Sequence, residues 1–333
     1  MLPRDIAAPV THGGDLAAAR KLFPGAPEPF IDLSTGINPF AYPLPPLDPA
    51  VFARLPETAA VERLAAIAAQ AYGAPSPAHV VVAPGVQILL PLVAALVPPG
   101  EAVVHEPTYA EHARAARLAG HALGEDRRKA ALVVLVNPNN PTGDVIPRKS
   151  LLSIADDCSA GLLVVDEAFM DVGPGDQSLA GDVTAPNLVV LRSFGKFFGL
   201  AGVRLGFALA SADVAARLRS ALGPWAVSGP ALAVGAAALA DAAWIAQTRK
   251  RLDLTMQRLD LLLVAAGLDL VGGTSLFRLV RTPAAGELFD HLGRAGIFVR
   301  RFPERPDWMR FGLPGDETAQ QRLAQALTQF HAS

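Results

Sequence analysis

A single cysteine, Cys158, stands among the 333 residues, so no internal disulfide can brace the fold and no cysteine cluster can hold a structural zinc. Such a chain suits a reducing compartment, and a cytoplasmic location is expected. Neither sign of charge predominates. The formal net charge is −2 and no long basic run occurs, so the footprint of a nucleic-acid-binding surface is missing. The first residues, Met1 to Asp5, bring an acid early and lack an apolar core segment, so no signal peptide is expected. One stretch, Val80 to Val97, runs for eighteen residues without a charge, which is long enough for a membrane span. Pro84, Gly85 and Pro91 interrupt it, and Val80 to Val82 read as a buried strand followed by a turn and a helix, so no membrane segment is expected.

What is present is an interior. Apolar residues make up 51% of the chain and charged residues 18%, the composition of a globular enzyme with one large domain and a smaller one. Residues 1–50 are rich in proline and glycine and read as an N-terminal arm with little periodicity of its own. Residues 51–240 read as the large domain. A helical pattern over 57–72 precedes alternating strands and helices, with strands at Val80–Ala83, Ala102–His105, Ala131–Val136, Leu162–Val165 and Leu188–Leu191. Continuous Val/Leu runs separated by helices predict an α/β fold with a mostly parallel sheet covered on both faces. Residues 241–333 read as a small α+β domain, opened by a long helix over 242–266 and closed by another over 316–330.

The chemistry-bearing residues fall where these strands end, the edge at which an open parallel sheet binds ligands. Lys196 is foremost among them. Of five lysines, Lys21, Lys129, Lys149 and Lys250 each neighbour an arginine, as solvated charges do, whereas Lys196 lies between Gly195 and the pair Phe197, Phe198. A desolvated ammonium loses its proton readily, and the neutral amine can form a Schiff base with a carbonyl. A lysine snorkelling from an apolar loop is the plainer alternative.

Asp166 ends an otherwise apolar strand, and a buried carboxylate needs a cationic or donor partner. A protonated pyridine nitrogen is one such partner, and that pairing turns the ring into an electron sink. A magnesium-binding aspartate is the alternative, but no glycine-rich loop ends in Gly-Lys-Ser or Gly-Lys-Thr. Gly85 opens a helix whose free N–H groups suit an anion, and Ser193 and Arg204 offer a hydroxyl and a guanidinium to the same anion. Tyr109, at a strand end, can lie on an aromatic ring or simply join the core. In Asn137-Pro-Asn-Asn-Pro-Thr-Gly143 an asparagine precedes each proline, and Asn140 can donate to a phenolic oxygen. Asn38, held extended before Pro39, either presents its amide to a ligand or only makes a turn.

Asn-Pro-Asn-Asn-Pro-Thr-Gly, then Asp-Glu-Ala-Phe, then Ser-Phe-Gly-Lys followed by Leu-Ala-Gly-Val-Arg-Leu-Gly-Phe resembles the fold-type I pyridoxal-phosphate enzymes, in the branch holding histidinol-phosphate aminotransferase and threonine-phosphate decarboxylase. The resemblance covers nearly the whole chain. It implies pyridoxal 5'-phosphate as cofactor, Lys196 as its covalent attachment, Asp166 on the ring nitrogen, Asn140 on the phenolic oxygen and Tyr109 stacked on the ring. It implies further that Gly85, Val86, Ser193 and Arg204 hold the cofactor phosphate, and that His12, Gly13, Asn38, Asn140, Arg300 and Arg310 meet a phosphorylated amino acid. No metal is implied. A homodimer is implied, because the family builds its sites at a subunit interface.

Within the branch, Phe169 stands where the aminotransferases usually carry a tyrosine. That feature, with His12-Gly13-Gly14, Ile37-Asn38-Pro39 and Pro224-Trp225-Ala226-Val227-Ser228, resembles the decarboxylase of cobalamin biosynthesis. The implied reaction is decarboxylation of threonine phosphate, with amino transfer from a substrate such as histidinol phosphate as the alternative. A pyridoxal-binding regulatory module would need a DNA-binding segment, and no basic stretch supplies one. Two departures from the family stand out. Gly195 replaces the Ser or Thr that usually precedes the lysine, and Leu55 replaces the tyrosine that usually reaches the neighbouring subunit's cofactor. Both remove phosphate contacts.

Overall fold

The computed structural model describes residues 12–158 and 161–331, and these form two compact units. The first comprises 42–140 and 144–244; the second joins 12–41 to 141–143 and 245–331. The strands are β1 (Ile31–Leu33), β2 (Val80–Ala83), β3 (Glu101–Val104), β4 (Ala122–Leu123), β5 (Leu132–Val136), β6 (Leu162–Asp166), β7 (Leu188–Ser193), β8 (Gly206–Ala210), β9 (Asp269–Thr274), β10 (Phe277–Arg281), β11 (Ile297–Phe302) and β12 (Arg305–Gly312).

The first unit is built on a seven-stranded sheet in the order β2-β8-β7-β6-β5-β3-β4. All neighbours are parallel except β8, which runs against both β2 and β7. Every residue of β2, β5, β6 and β8 is buried, as both faces of a covered sheet demand. Each Val or Leu so buried stabilises the fold by about 1.5–3 kcal/mol relative to an exposed one. The helices follow local signals. Thr58–Tyr72 stops at Gly73, whose φ of 79° suits glycine and whose N–H caps the Ala69 carbonyl. Ala212–Leu222 starts at Ser211, whose side chain accepts from the Val214 N–H. The charge-free run Val80–Val97 is divided between β2 and the helix Val86–Ala94, and among the described residues no single helix is long and apolar enough to cross a membrane.

The second unit holds a five-stranded sheet in the order β1-β11-β12-β10-β9, with β1 parallel to β11 and the remaining neighbours antiparallel. Residues of the N-terminal arm thus complete its edge. Ahead of β1, the helix Leu16–Leu22 is N-capped by Asp15, and Phe23 packs on Phe289 with ring centroids 5.5 Å apart. Three-residue β1 has too little alternation to be read from sequence. The helix Ala242–Ala265 buries Leu252, Met256, Leu259 and Leu263 on one stripe, and Asp260 holds the Arg278 guanidinium through two bonds of 2.6 and 2.9 Å.

Candidate active site

Strand register sets the first row of the site. Ala83 pairs with Gly206, and Gly206 with Ser193; Leu191 pairs with Asp166, and Asp166 with Val136. Adjacent strands lie about 4.8 Å apart, so the segments leaving β2, β7, β6 and β5 emerge side by side along one edge. Gly85, Val86, Ser193, Lys196, Asp166 and Asn140 lie in those segments.

At the β2 end the backbone is shaped for an anion. Gly85 takes φ 86°, a left-handed conformation that favours glycine, and a Cβ there would sit 2.9 Å from Arg204 Nη2. The nine-residue helix Val86–Ala94 follows directly and has no side-chain cap, so its first N–H groups remain for a ligand. Arg204 itself is left-handed at φ 55°, and among the described residues no carboxylate pairs with it. Uncapped helix amides, the exposed Arg204 guanidinium and the half-buried Ser193 match a phosphate. A cradle that a side chain would fill and an arginine without an acid partner fit pyridoxal phosphate on this chain's own geometry.

Lys196 lies on the short helix Phe194–Phe197. Phe194, Phe197 and Phe198, spaced for one helical face, are fully buried; Phe194 stacks on Phe198 at 4.5 Å, and Phe198 stacks on Trp244 at 5.6 Å. These rings anchor the turn from below and leave Lys196 half-buried on its other side, with Nζ 5.8 Å from the centre of the Phe169 ring. Gly195 also finds its reason here. A Cβ at that position would lie 2.7 Å from the Cα of Ala201, so the hydroxyl residue usual in the family has no room without a backbone shift.

Asp166 is 4% exposed, and both of its oxygens are engaged. Oδ1 accepts from the Ala168 N–H at 2.9 Å, and Oδ2 lies 2.9 Å from His112 Nε2. His112 is buried too, and its ring stands edge-on to Tyr109 with centroids 5.8 Å apart. The Tyr109 hydroxyl donates to Gln87 Oε1 at 3.0 Å. In the loop after β5, Asn137 exchanges two bonds with the backbone of Ile146, while Asn139 accepts from Thr108 Oγ1 and donates to the Pro107 carbonyl. Asn137 and Asn139 therefore fasten loops, and the half-buried Asn140 follows them in the same loop.

Beneath this edge lies a buried ion network that sequence reading missed. The Arg192 guanidinium lies between Glu167 Oε2 at 3.0 Å and Asp171 Oδ1 at 2.6 Å, above the Tyr72 ring at 4.4 Å. Burial works against its charge, yet Asp171, Glu167 and Tyr72 together hold it above the ordinary arginine value. Glu167 also accepts from Ser178 Oγ and the Leu179 N–H. Because Glu167 follows Asp166 and Arg192 precedes Ser193, the network ties the ends of β6 and β7. His112 was missed as well: a lone histidine in a helix carries no local signature, and its partner lies far along the chain.

The remaining sequence candidates belong to the second unit. Arg300 on β11 and Arg310 on β12 are direct cross-strand partners. Burial, and then the nearby Arg300, push the Arg310 guanidinium down to about 10, with Asp32 opposing. Arg310 Nη2 donates to the Ser34 carbonyl at 2.8 Å, so this arginine is held by backbone although no acid neighbours it in sequence. Ser34 Oγ accepts from the Gly14 N–H, and a Cβ on Gly13 would collide with the Ser34 carbonyl. Asn38 is buried, and its Oδ1 accepts from the Phe40 N–H at 2.8 Å; this is the turn-making bond that the sequence left open. His12 is exposed.

Residues 52–327 match the family model for aminotransferase class I and II. The chain is 42% identical to threonine-phosphate decarboxylase from Sinorhizobium sp, over 97% of this chain and 98% of that one. It is also 42% identical to threonine-phosphate decarboxylase from Pseudomonas aeruginosa, over 96% and 97%. Among solved structures, histidinol-phosphate aminotransferase from Sinorhizobium meliloti in complex with pyridoxal-5'-phosphate is similar with a TM-score of 0.83, at 22% identity, over 99% of this chain and 96% of that one.

Proposed function

We infer that this chain, which belongs to the class I and II aminotransferase family and has the fold-type I architecture, is a pyridoxal-phosphate-dependent lyase that decarboxylates L-threonine O-3-phosphate to (R)-1-aminopropan-2-yl phosphate. The observation that carries this reading is the row of Gly85, Ser193, Lys196 and Asp166 at one sheet edge, in a chain similar to threonine-phosphate decarboxylases over nearly its full length. The product suits the side-chain linker of cobalamin, and cobalamin biosynthesis is the proposed setting.

Pyridoxal phosphate, when bound, supplies a cationic ring that takes up the electron pair of a bond broken at the substrate's α-carbon. The protein's residues hold it and choose the bond. Lys196 is its covalent attachment. Asp166, oriented by the Ala168 N–H and by His112, would face the ring nitrogen and keep it protonated. Tyr109 would cover the ring, Asn140 would donate to its phenolic oxygen, and Gly85, Val86, Ser193 and Arg204 would bind its phosphate. Decarboxylation, in preference to proton removal, requires the substrate carboxylate to stand perpendicular to the ring, so orientation decides the outcome. Arg300 and Arg310 are assigned the substrate's phosphate and carboxylate, with His12, Gly13 and Asn38 completing that anion site. Two adjacent guanidiniums repel each other until an anion neutralises them, which favours a doubly anionic substrate. Lys196 Nζ, freed once the substrate amine displaces it, would return a proton to the α-carbon after carbon dioxide leaves.

We propose that the enzyme is a homodimer in the cytoplasm. A groove of about 690 Å³ between the helices Thr58–Tyr72 and Gly229–Ala240 is floored by Ala233, Ala236 and Ala237, and the large apolar side chains Phe52 and Leu55 beside it are exposed. A second copy, as in the family, covers that face. The buried thiol of Cys158 suits a reducing compartment.

Incubation with threonine phosphate tests the function. Carbon dioxide and the phosphorylated amino alcohol are expected without any keto acid; glutamate formed from 2-oxoglutarate, with the carboxylate retained, would overturn the reading in favour of an aminotransferase.

A further inference from the structure

Tyr109 is fixed by a relay of two side chains from neighbouring helices. Its hydroxyl donates to Gln87 Oε1 at 3.0 Å, and Gln87 Nε2 donates to Glu111 Oε2 at 2.6 Å. Gln87 is the second residue of the helix Val86–Ala94, and Glu111 is the first of the helix Glu111–Leu118. Glu111 is only 5% exposed, and Arg114 Nη1 reaches it at 3.3 Å.

The chemistry of the groups gives the relay a direction. An ionised carboxylate only accepts, so the Gln87 amide must turn its NH2 toward Glu111 and its oxygen toward Tyr109. The tyrosine hydrogen is thereby committed to Gln87, which leaves the phenol an orienting role and not an acid-base one. On its other side the Tyr109 ring meets His112, the residue bonded to Asp166. Tyr109 is thus held at its hydroxyl by the phosphate-side helix and at its ring by the partner of the nitrogen-side aspartate.

We propose that Gln87 and Glu111 are positioning residues that set the rotation of the Tyr109 ring, and through it the tilt of the pyridoxal ring. This rests on the pyridoxal-phosphate reading above. No local motif joins Gln87 and Glu111, which stand 24 positions apart.

The test is titration of the apo-protein with pyridoxal phosphate, with visible circular dichroism of the saturated protein as the readout of tilt. Q87M and Y109F should each weaken cofactor binding about three- to tenfold, the worth of a neutral hydrogen bond, and the double variant should be no weaker than either single one. Both single variants should alter the visible dichroism at saturation while apo-protein thermal stability stays at the wild-type value. E111Q, which keeps an acceptor for Gln87, should restore most of what E111L loses. Independent effects of Q87M and Y109F that multiply in the double variant, or wild-type dichroism at saturation, would overturn the relay. A wild-type protein that binds no pyridoxal phosphate would instead remove the reading on which the relay rests.

Discussion

Replacing Arg192 with methionine removes the one cation that lies between Glu167 and Asp171 and keeps most of the side-chain volume. Glu167 and Asp171 have side-chain exposures of 0% and 8%, and each carries an oxygen within 3.0 Å of the guanidinium. At an effective dielectric of about 20, a single contact of this kind is worth about 4 kcal/mol before desolvation. Breaking a buried pair by removing one partner costs about 3–5 kcal/mol, because the stranded charge stays in the core. The network should therefore lose about 3–5 kcal/mol in urea unfolding, read from the midpoint at unchanged slope. The sign of the pH dependence follows. Burial already raises the Glu167 carboxyl above its ordinary value while the guanidinium opposes that rise, so without Arg192 the folded Glu167 binds its proton more tightly still. The variant's stability is then fully present below the ordinary carboxylate range and is lost as pH rises through the raised folded value. The gap between wild type and variant should be wider at about pH 8 than at about pH 5, and adding E167Q and D171N to R192M should close most of it. A loss below about 1 kcal/mol, or a gap independent of pH, would refute the reasoning.

Other substitutions probe the site. R310K keeps the charge and loses the guanidinium fork, so substrate binding or turnover should fall about tenfold to a hundredfold while cofactor absorbance is unchanged; released cofactor with intact substrate affinity would exchange the roles of Arg310 and Arg204. H112F takes a bonded neighbour from Asp166 and should weaken pyridoxal phosphate about tenfold or more in a fluorescence titration. G195S should not recover the hydroxyl contact usual in the family; crowding against Ala201 should lower stability by about 1–3 kcal/mol, seen as a reduced urea midpoint. F52E places a charge on the exposed apolar surface beside the groove and, if that face is the proposed dimer interface, should yield monomers at micromolar concentration in light scattering under conditions where the wild type is expected to dimerise.

The large unit was legible because its strands are short, wholly apolar and punctuated by turn residues, and because Gly85, Tyr109, Asn140, Asp166 and Lys196 each follow or end such a run. Strand direction was not legible. Gly206–Ala210 is as apolar as its parallel neighbours, and only the return of the chain after Lys196 makes β8 antiparallel. Pairings across long sequence distances left no mark either. His112 meets Asp166, and Arg192 meets Glu167 and Asp171, only once the sheet is assembled. The N-terminal arm read as irregular because β1 is a three-residue strand whose partner, β11, lies near the other end of the chain. Gly195 read as a lost phosphate contact; the closeness of Ala201 makes it a packing requirement.

Borohydride fixation followed by peptide mapping tests the central claim, that this sheet edge is assembled around one reactive lysine. Reduction of the pyridoxal-phosphate-loaded protein should place the label on the peptide containing Lys196 alone, and K196A should take none while keeping its fold. Label on Lys21, Lys129, Lys149 or Lys250, or a K196A protein that still fixes the cofactor, would contradict the account.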